Sequence, residues 1–264
     1  MNTRPVKNES AKTSNKDGEP AFIEFSDGRR LAYTLSEGKL PGVVFLGGFN
    51  SDMTGTKAMA LEAFCRRQGQ RFLRFDYTGH GQSSGDFVQG TIGDWKRDAI
   101  DMLEHIAPGQ NILVGSSMGG WIMLLAALTL KEKVAGLVGI ASAPDFTEML
   151  LWVSASDEQK KQLEEEGVIM VPSCSGEDPY PITRTLIEEA RNHLVLGAYI
   201  PLDIPVRLIH GMQDEDVSWK VSEKLVECLV SSDVTLTLIK NGGHRLSEPE
   251  QLEIIFREIS ALLA

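Results

Sequence analysis

Residues 111–130 read NILVGSSMGGWIMLLAALTL, and no other stretch constrains the fold as strongly. An apolar segment of strand length, NILV, runs into a knot of small residues. An apolar segment of helical length follows at once. A strand that turns into a helix with almost no loop needs a strained turn and residues small enough for the two elements to touch. Gly115, Gly119 and Gly120 supply them. Neither segment shows a polar face, so the strand belongs inside a sheet covered on both sides, as in parallel β/α architectures.

The rest of the chain fits that architecture. Residues 21–38 alternate around Asp27-Gly28, a turn dipeptide, and predict a hairpin. Core strands are expected at 42–48, 71–77, 111–117, 134–143, 206–211 and 234–240. Helices are expected at 57–68, at 91–107, after Gly119, at 218–230 and at 249–262. Strands alternating with helices predict an α/β fold, a mostly parallel central sheet with helices on both faces. The rhythm breaks between 144 and 200, where a charged run, DEQKKQLEEE, and several Pro and Gly interruptions replace buried strands. The reading is a core of residues 21–143 and 201–264, a helical cap insertion at 144–200, and a solvated, mobile tail at 1–20. Internal repeats and low-complexity runs are absent.

Composition excludes several functions. With 264 residues the chain can bury a large core without metal or disulfide staples. A net charge of −11 repels phosphate backbones and anionic membranes, which argues against nucleic acid as a partner. Cys65, Cys174 and Cys228 are odd in number, widely spaced and without a CxxC, which fits a reducing compartment and buried thiols. The longest apolar stretch, near Trp121–Leu130, falls short of the roughly 20 residues a membrane span needs. The first 20 residues have no apolar signal core and carry Glu9, Asp17 and Glu19, unlike an acid-poor transit peptide. A cytoplasmic location is expected.

Gly115-Ser116-Ser117-Met118-Gly119 matches G-x-S-x-G, and its place between a core strand and a buried helix is what a nucleophile elbow requires. Ser117 would stand at the sheet edge, at the positive end of a helix. A serine hydroxyl needs a base to take its proton. His244, just past the last core strand, would reach the same edge. His80, His105, His193 and His210 are weaker: His105 is expected on the surface, and His210, at the end of its strand, is expected only to pack. The imidazole needs an acidic partner. Asp214 is favoured, at the end of VRLIHGMQ, with Glu215, Asp216 and Asp145 as alternatives. Two backbone N–H groups are needed for a developing oxyanion. Met118 offers one, and Phe49 or Gly48, in the Gly-rich turn after GVVFL, the other. Gly48, Asn50, Trp152 and Met170 are expected to bind substrate. No Walker motif, HExxH, dinucleotide fingerprint or metal-spaced His and Cys set appears, so neither metal nor cofactor is implied.

Taken together, FLGGFNSDMTGTKA, FDYTGHGQSSG, LVGSSMGGW, LIHGMQDEDVSW and NGGHRLSE resemble the α/β-hydrolase superfamily over residues 21–264. Within it, GTKAMALEAFCRRQG, FDYTGHGQSSG, LVGSSMGGW and HGMQDEDVSW are similar to the mitochondrial acyl-protein thioesterase and acyl-glucuronide esterase branch and its bacterial relatives. The resemblance implies removal of acyl groups, including palmitoyl from cysteine, and hydrolysis of acyl glucuronides, with Ser117, Asp214 and His244 as the triad. The N-terminus departs from the mitochondrial members, which favours a bacterial cytoplasmic protein. The expected reaction is two-step hydrolysis of an ester or thioester of a small-molecule or acylated substrate. The cap offers Leu150, Leu151, Trp152, Val153, Ile169, Met170 and Val171, a subset of which would line an acyl pocket. Carbon–carbon bond hydrolysis, lactone hydrolysis and perhydrolysis would use the same triad, and a non-catalytic receptor would use the same fold. Ser at 117 argues against a dehalogenase or epoxide hydrolase, which needs a carboxylate there.

Overall fold

A computed structural model of the chain describes residues 19–172 and 179–264. Nearly all of the expected tail, and Cys174, lie outside the described residues.

Eight strands form one sheet in the order β1-β2-β4-β3-β5-β6-β9-β10. The strands are β1 (Ala21–Glu24), β2 (Arg30–Ser36), β3 (Lys39–Leu46), β4 (Gln70–Phe75), β5 (Asn111–Ser116), β6 (Val134–Ile140), β9 (Val206–Gly211) and β10 (Val234–Ile239). β1 and β2 form the expected hairpin, β2 runs antiparallel to β4, and every other pairing is parallel.

Period-two alternation divides the core in two. On β3, Val43 and Phe45 face one side and Val44 and Leu46 the other; on β5, Ile112 and Val114 oppose Leu113. The first side packs against α1 (Thr56–Gln68) and α7 (Pro249–Leu263), whose Phe64 and Phe256 rings stack at 4.6 Å. The second packs against α2 (Ile92–His105), α3 (Met118–Thr129) and α6 (Lys220–Cys228). Both sides of the central strands are thus covered, which is why they read as unbroken apolar runs. Arg29, just past the hairpin turn, ties it to α2 through buried Asp98 and Asp101.

Between β6 and β9 the chain leaves the sheet. A single π-helical stretch, Thr147–Trp152, is followed by α4 (Asp157–Glu165), β7 (Val168–Val171), β8 (Tyr180–Thr183) and α5 (Arg184–Ala190). The helical expectation for 144–200 therefore needs correction, because β7 and β8 pair antiparallel with Val171 opposite Tyr180. Each strand is only four residues long and β8 contains Pro181, which cannot donate to a ladder, so the pattern was too short and too interrupted to read. Asp145 gathers the two ends of this segment. At φ 58° it holds a buried carboxylate that accepts hydrogen bonds from the Val195 and Leu196 N–H groups.

Candidate active site

Ser117 sits between β5 and α3 at φ 55°, ψ −122°, a conformation few non-glycine residues adopt. The crossing is tight. A Cβ on Gly119 would overlap the Leu46 carbonyl, and one on Gly115 the Gly119 carbonyl. The Ser117 N–H donates to the Ile140 carbonyl at 2.9 Å, fixing the turn to β6.

Two further loops, at the ends of β9 and β10, reach the same edge. The Gln213 N–H donates to the Gly242 carbonyl at 2.9 Å, and a Cβ on Gly211 would overlap Gly242. This backbone contact brings Asp214 and His244 together. His244 Nδ1 lies 2.8 Å from Asp214 Oδ2, and its Nε2 lies 2.9 Å from Ser117 Oγ. The Asp214 side chain is fully buried. Its Oδ1 accepts from the Asp216 and Val217 N–H groups at 3.0 and 2.8 Å. Burial pushes this carboxyl up, but hydrogen bonds from His210 and His244 outweigh it and hold Asp214 well below the usual carboxylate range.

The other candidates go elsewhere. Asp145 serves the 195–196 backbone. Asp216 and Glu215 line the cavity beside His244. His80 is buried among Tyr77, Phe87 and Trp95, and burial pushes its pKa down to about 4. His193 pairs with Glu189. His105, expected on the surface, is half-buried against Phe25. Metal-ligating atoms of Asp214, Asp216 and His244 lie within 4.8 Å of one another. Both Asp214 oxygens and both His244 nitrogens are engaged in hydrogen bonds within the site instead.

Phe49 and Gly48 flank Ser117. A Cβ on Gly48 would lie 3.4 Å from the Ser117 Cβ. The Phe49 ring is held by Phe87, Tyr180, Trp95 and Phe146, with centroids 4.8 to 5.7 Å away. Met118 opens α3, where the first N–H has no intrahelical partner. Neither the Phe49 nor the Met118 N–H donates to a protein acceptor among the described residues.

Two cavities meet at Ser117 and His244. One, of about 510 Å³, is walled by Phe146, Met149, Leu150, Leu151, Val171 and Tyr180, and Asn50 and Met118 also line it. The other, of about 310 Å³, is polar and includes Gly48, Ser51, Lys57 and Arg245. Of the four residues expected to bind substrate, Gly48 lines the polar cavity and Asn50 the apolar one. Trp152 and Met170 line neither. Trp152 turns to Arg191 and Lys160 and lines a separate hollow with Leu163 and Arg184. Met170 is exposed, because on β7 it points opposite to its neighbour Val171, which takes the cavity position. Of the other apolar cap candidates, Leu150 and Leu151 reach the cavity, whereas Ile169 is buried away from it and Val153 is exposed. His210, set aside in the sequence as packing, touches Asp214 directly.

The sequence profile of the Alpha/beta hydrolase family matches residues 43–253. The chain belongs to the α/β-hydrolase family. Its relatives narrow the branch. It is 40% identical over 249 residues to bovine "Palmitoyl-protein thioesterase ABHD10, mitochondrial", covering 92% of this chain and 79% of that one. Its structure resembles mouse alpha/beta hydrolase domain-containing protein 10 at TM-score 0.87 and 39% identity, covering 93% and 98% of the two chains. A putative hydrolase from Agrobacterium vitis S4 matches at TM-score 0.89 and 39% identity, covering 93% and 99%. The class expected for this α/β-hydrolase, an esterase or thioesterase, is that of its named relatives. No helix among the described residues is long and apolar enough to cross a membrane.

Proposed function

We propose that this α/β-hydrolase cleaves carboxylic esters or thioesters of acylated substrates through an acyl-enzyme on Ser117. The observation that carries the reading is the unbroken chain Ser117 Oγ–His244–Asp214, with contacts of 2.9 and 2.8 Å. Ser117 attacks the acyl carbonyl as His244 Nε2 accepts its proton. Asp214 keeps Nδ1 protonated and offsets the imidazolium charge. The Met118 and Phe49 N–H groups receive the oxyanion, each worth about 3 kcal/mol of barrier. The proton on His244 then passes to the leaving alkoxide or thiolate. Water, deprotonated by the same imidazole, releases the acid and restores Ser117.

The acyl chain takes the apolar cavity, whose size lies in the roughly 300–1,000 Å³ range of small-molecule sites. Segment 144–200 serves as the cap that walls it. The name of the mammalian relatives supports acylated cysteine as one substrate. Their mitochondrial designation weighs against the cytoplasmic location expected from the N-terminal composition.

A fluorophosphonate probe tests the nucleophile. Labelling is expected in the native protein and lost in Ser117→Ala. Labelling that survives the substitution, or never occurs, overturns the reading. A series of p-nitrophenyl esters from acetyl to palmitoyl tests the pocket; a flat response removes the acyl-chain assignment.

A further inference from the structure

His210 lies at the end of β9, and its side chain is fully buried. Its ring is hydrogen-bonded at both nitrogens. Nε2 lies 3.0 Å from Asp214 Oδ2 and 2.9 Å from the Val217 carbonyl oxygen, and Nδ1 lies 2.7 Å from Ser222 Oγ. These partners fix the tautomer. A carboxylate and a carbonyl only accept, so Nε2 carries a proton. The Ser222 hydroxyl, itself buried on α6, can donate, so Nδ1 of a neutral ring accepts from it. Every polar atom of the ring is then satisfied.

Asp214 Oδ2 is therefore shared by two imidazoles. His210 reaches it from β9 and His244 from the loop after β10, while Oδ1 takes the Asp216 and Val217 N–H groups. Without His210 the carboxylate would be held mainly by its own loop. With it, the carboxylate plane is tied through Ser222 to a packed helix.

We infer that His210 is a positioning residue for hydrolysis at Ser117: its Nε2–H, kept in that tautomer by Ser222, sets the carboxylate plane of Asp214 and draws off charge that Oδ2 would otherwise direct at His244. The inference rests on the triad reading above and adds two residues that line neither cavity at Ser117. Two consequences follow from the chemistry. Loss of the donor leaves Asp214 less well aimed, so turnover falls while substrate affinity holds. It also leaves more negative charge facing His244, which stabilises the imidazolium and moves the acid limb of kcat/KM to higher pH. The other charged groups lining the cavities at His244 are Asp52, Lys57, Glu215, Asp216, Arg245 and Glu248, and the variants below change none of them.

The test compares His210→Met, which removes the donor at similar bulk, with His210→Gln, which returns an N–H near the Nε2 position, and with Ser222→Ala. Each is assayed on p-nitrophenyl butyrate across the acid limb, with folding checked by circular dichroism. His210→Met is expected to lower kcat about ten- to a hundredfold, as for loss of a hydrogen bond to a charged group, with KM within about twofold. Its acid limb moves up, His210→Gln recovers most of the loss, and Ser222→Ala shifts the limb the same way by less. A folded His210→Met with native kcat and an unmoved limb overturns the inference. So does a folded His210→Gln no better than His210→Met. If His210→Met does not fold, an unmoved limb in Ser222→Ala decides against it. Ser117→Ala separates the two readings: native activity there removes the triad itself, whereas a dead Ser117→Ala beside a native-like His210→Met removes only the role of His210.

Discussion

Gly211, at the end of β9, meets the Gly242 backbone so closely that a Cβ on Gly211 would overlap the Gly242 carbonyl. The contact joins the loop that holds Asp214 to the loop that holds His244. Two side chains 30 positions apart in sequence are registered by glycine packing as much as by their own hydrogen bond.

Gly211→Ala should therefore injure function more than stability. Forcing a methyl group into a packed contact costs about 1–3 kcal/mol, and here the strain is relieved by separating the two loops. The expected result is a modest fall in Tm with a disproportionate fall in kcat. Thermal denaturation and steady-state kinetics on the same preparation check it, and equal, small losses in both would contradict it.

Asp214→Asn should preserve the fold and lower kcat by about 10⁴-fold, the size of effect seen when the acidic member of a triad is neutralised. The pH dependence has a definite sign. The folded-state pKa of Asp214 lies below its ordinary 3.8, so its carboxylate stabilises the fold at pH above that value, and this contribution is lost as pH falls toward the folded-state pKa. The stability gap between native and Asp214→Asn should thus be full at neutral pH and narrow only below about pH 4. Urea unfolding at neutral and acid pH measures the gap.

Val171→Trp should shorten the acyl preference. Val171 walls the cavity, and a bulkier side chain there takes up part of its volume. Relative to native protein, kcat/KM should fall for p-nitrophenyl palmitate and stay within about threefold for the acetate, since a few filled methylene sites are worth about 1–3 kcal/mol each way. Met170→Trp, on the exposed side of the same strand, is the control and should change neither.

Asp145→Ala should loosen the segment between β6 and β9. It leaves the buried Val195 and Leu196 N–H groups without an acceptor, at about 1–3 kcal/mol for each group left unsatisfied. Faster limited proteolysis within 144–200, with the sheet still folded, is the expected signature. Cleavage no faster than in native protein would show that the neck does not depend on this carboxylate.

The sheet was legible because its central strands are buried on both faces and so appear as continuous apolar runs, as in NILVG and VAGLVGI. Ser117 and His244 were legible because a strand-to-helix glycine knot and a loop past the last strand fix position by topology alone. The insertion was not. Trp152 and Met170 are large and apolar, yet which way each points depends on a π-helical turn and on the phase of a four-residue strand. A one-residue change of phase exchanges Met170 for Val171. His210 was misjudged for a related reason. Burial marks it as a packing residue, and only coordinates reveal that what it packs against is the carboxylate of Asp214.

The aromatic clasp on Phe49 gives that residue two masters. Its ring is gripped by Phe146 and Tyr180 from the insertion, while its amide stands beside Ser117. On the proposed mechanism, a substitution that displaces either ring would be felt at the turn beside the nucleophile, so the insertion would tune turnover without touching the serine.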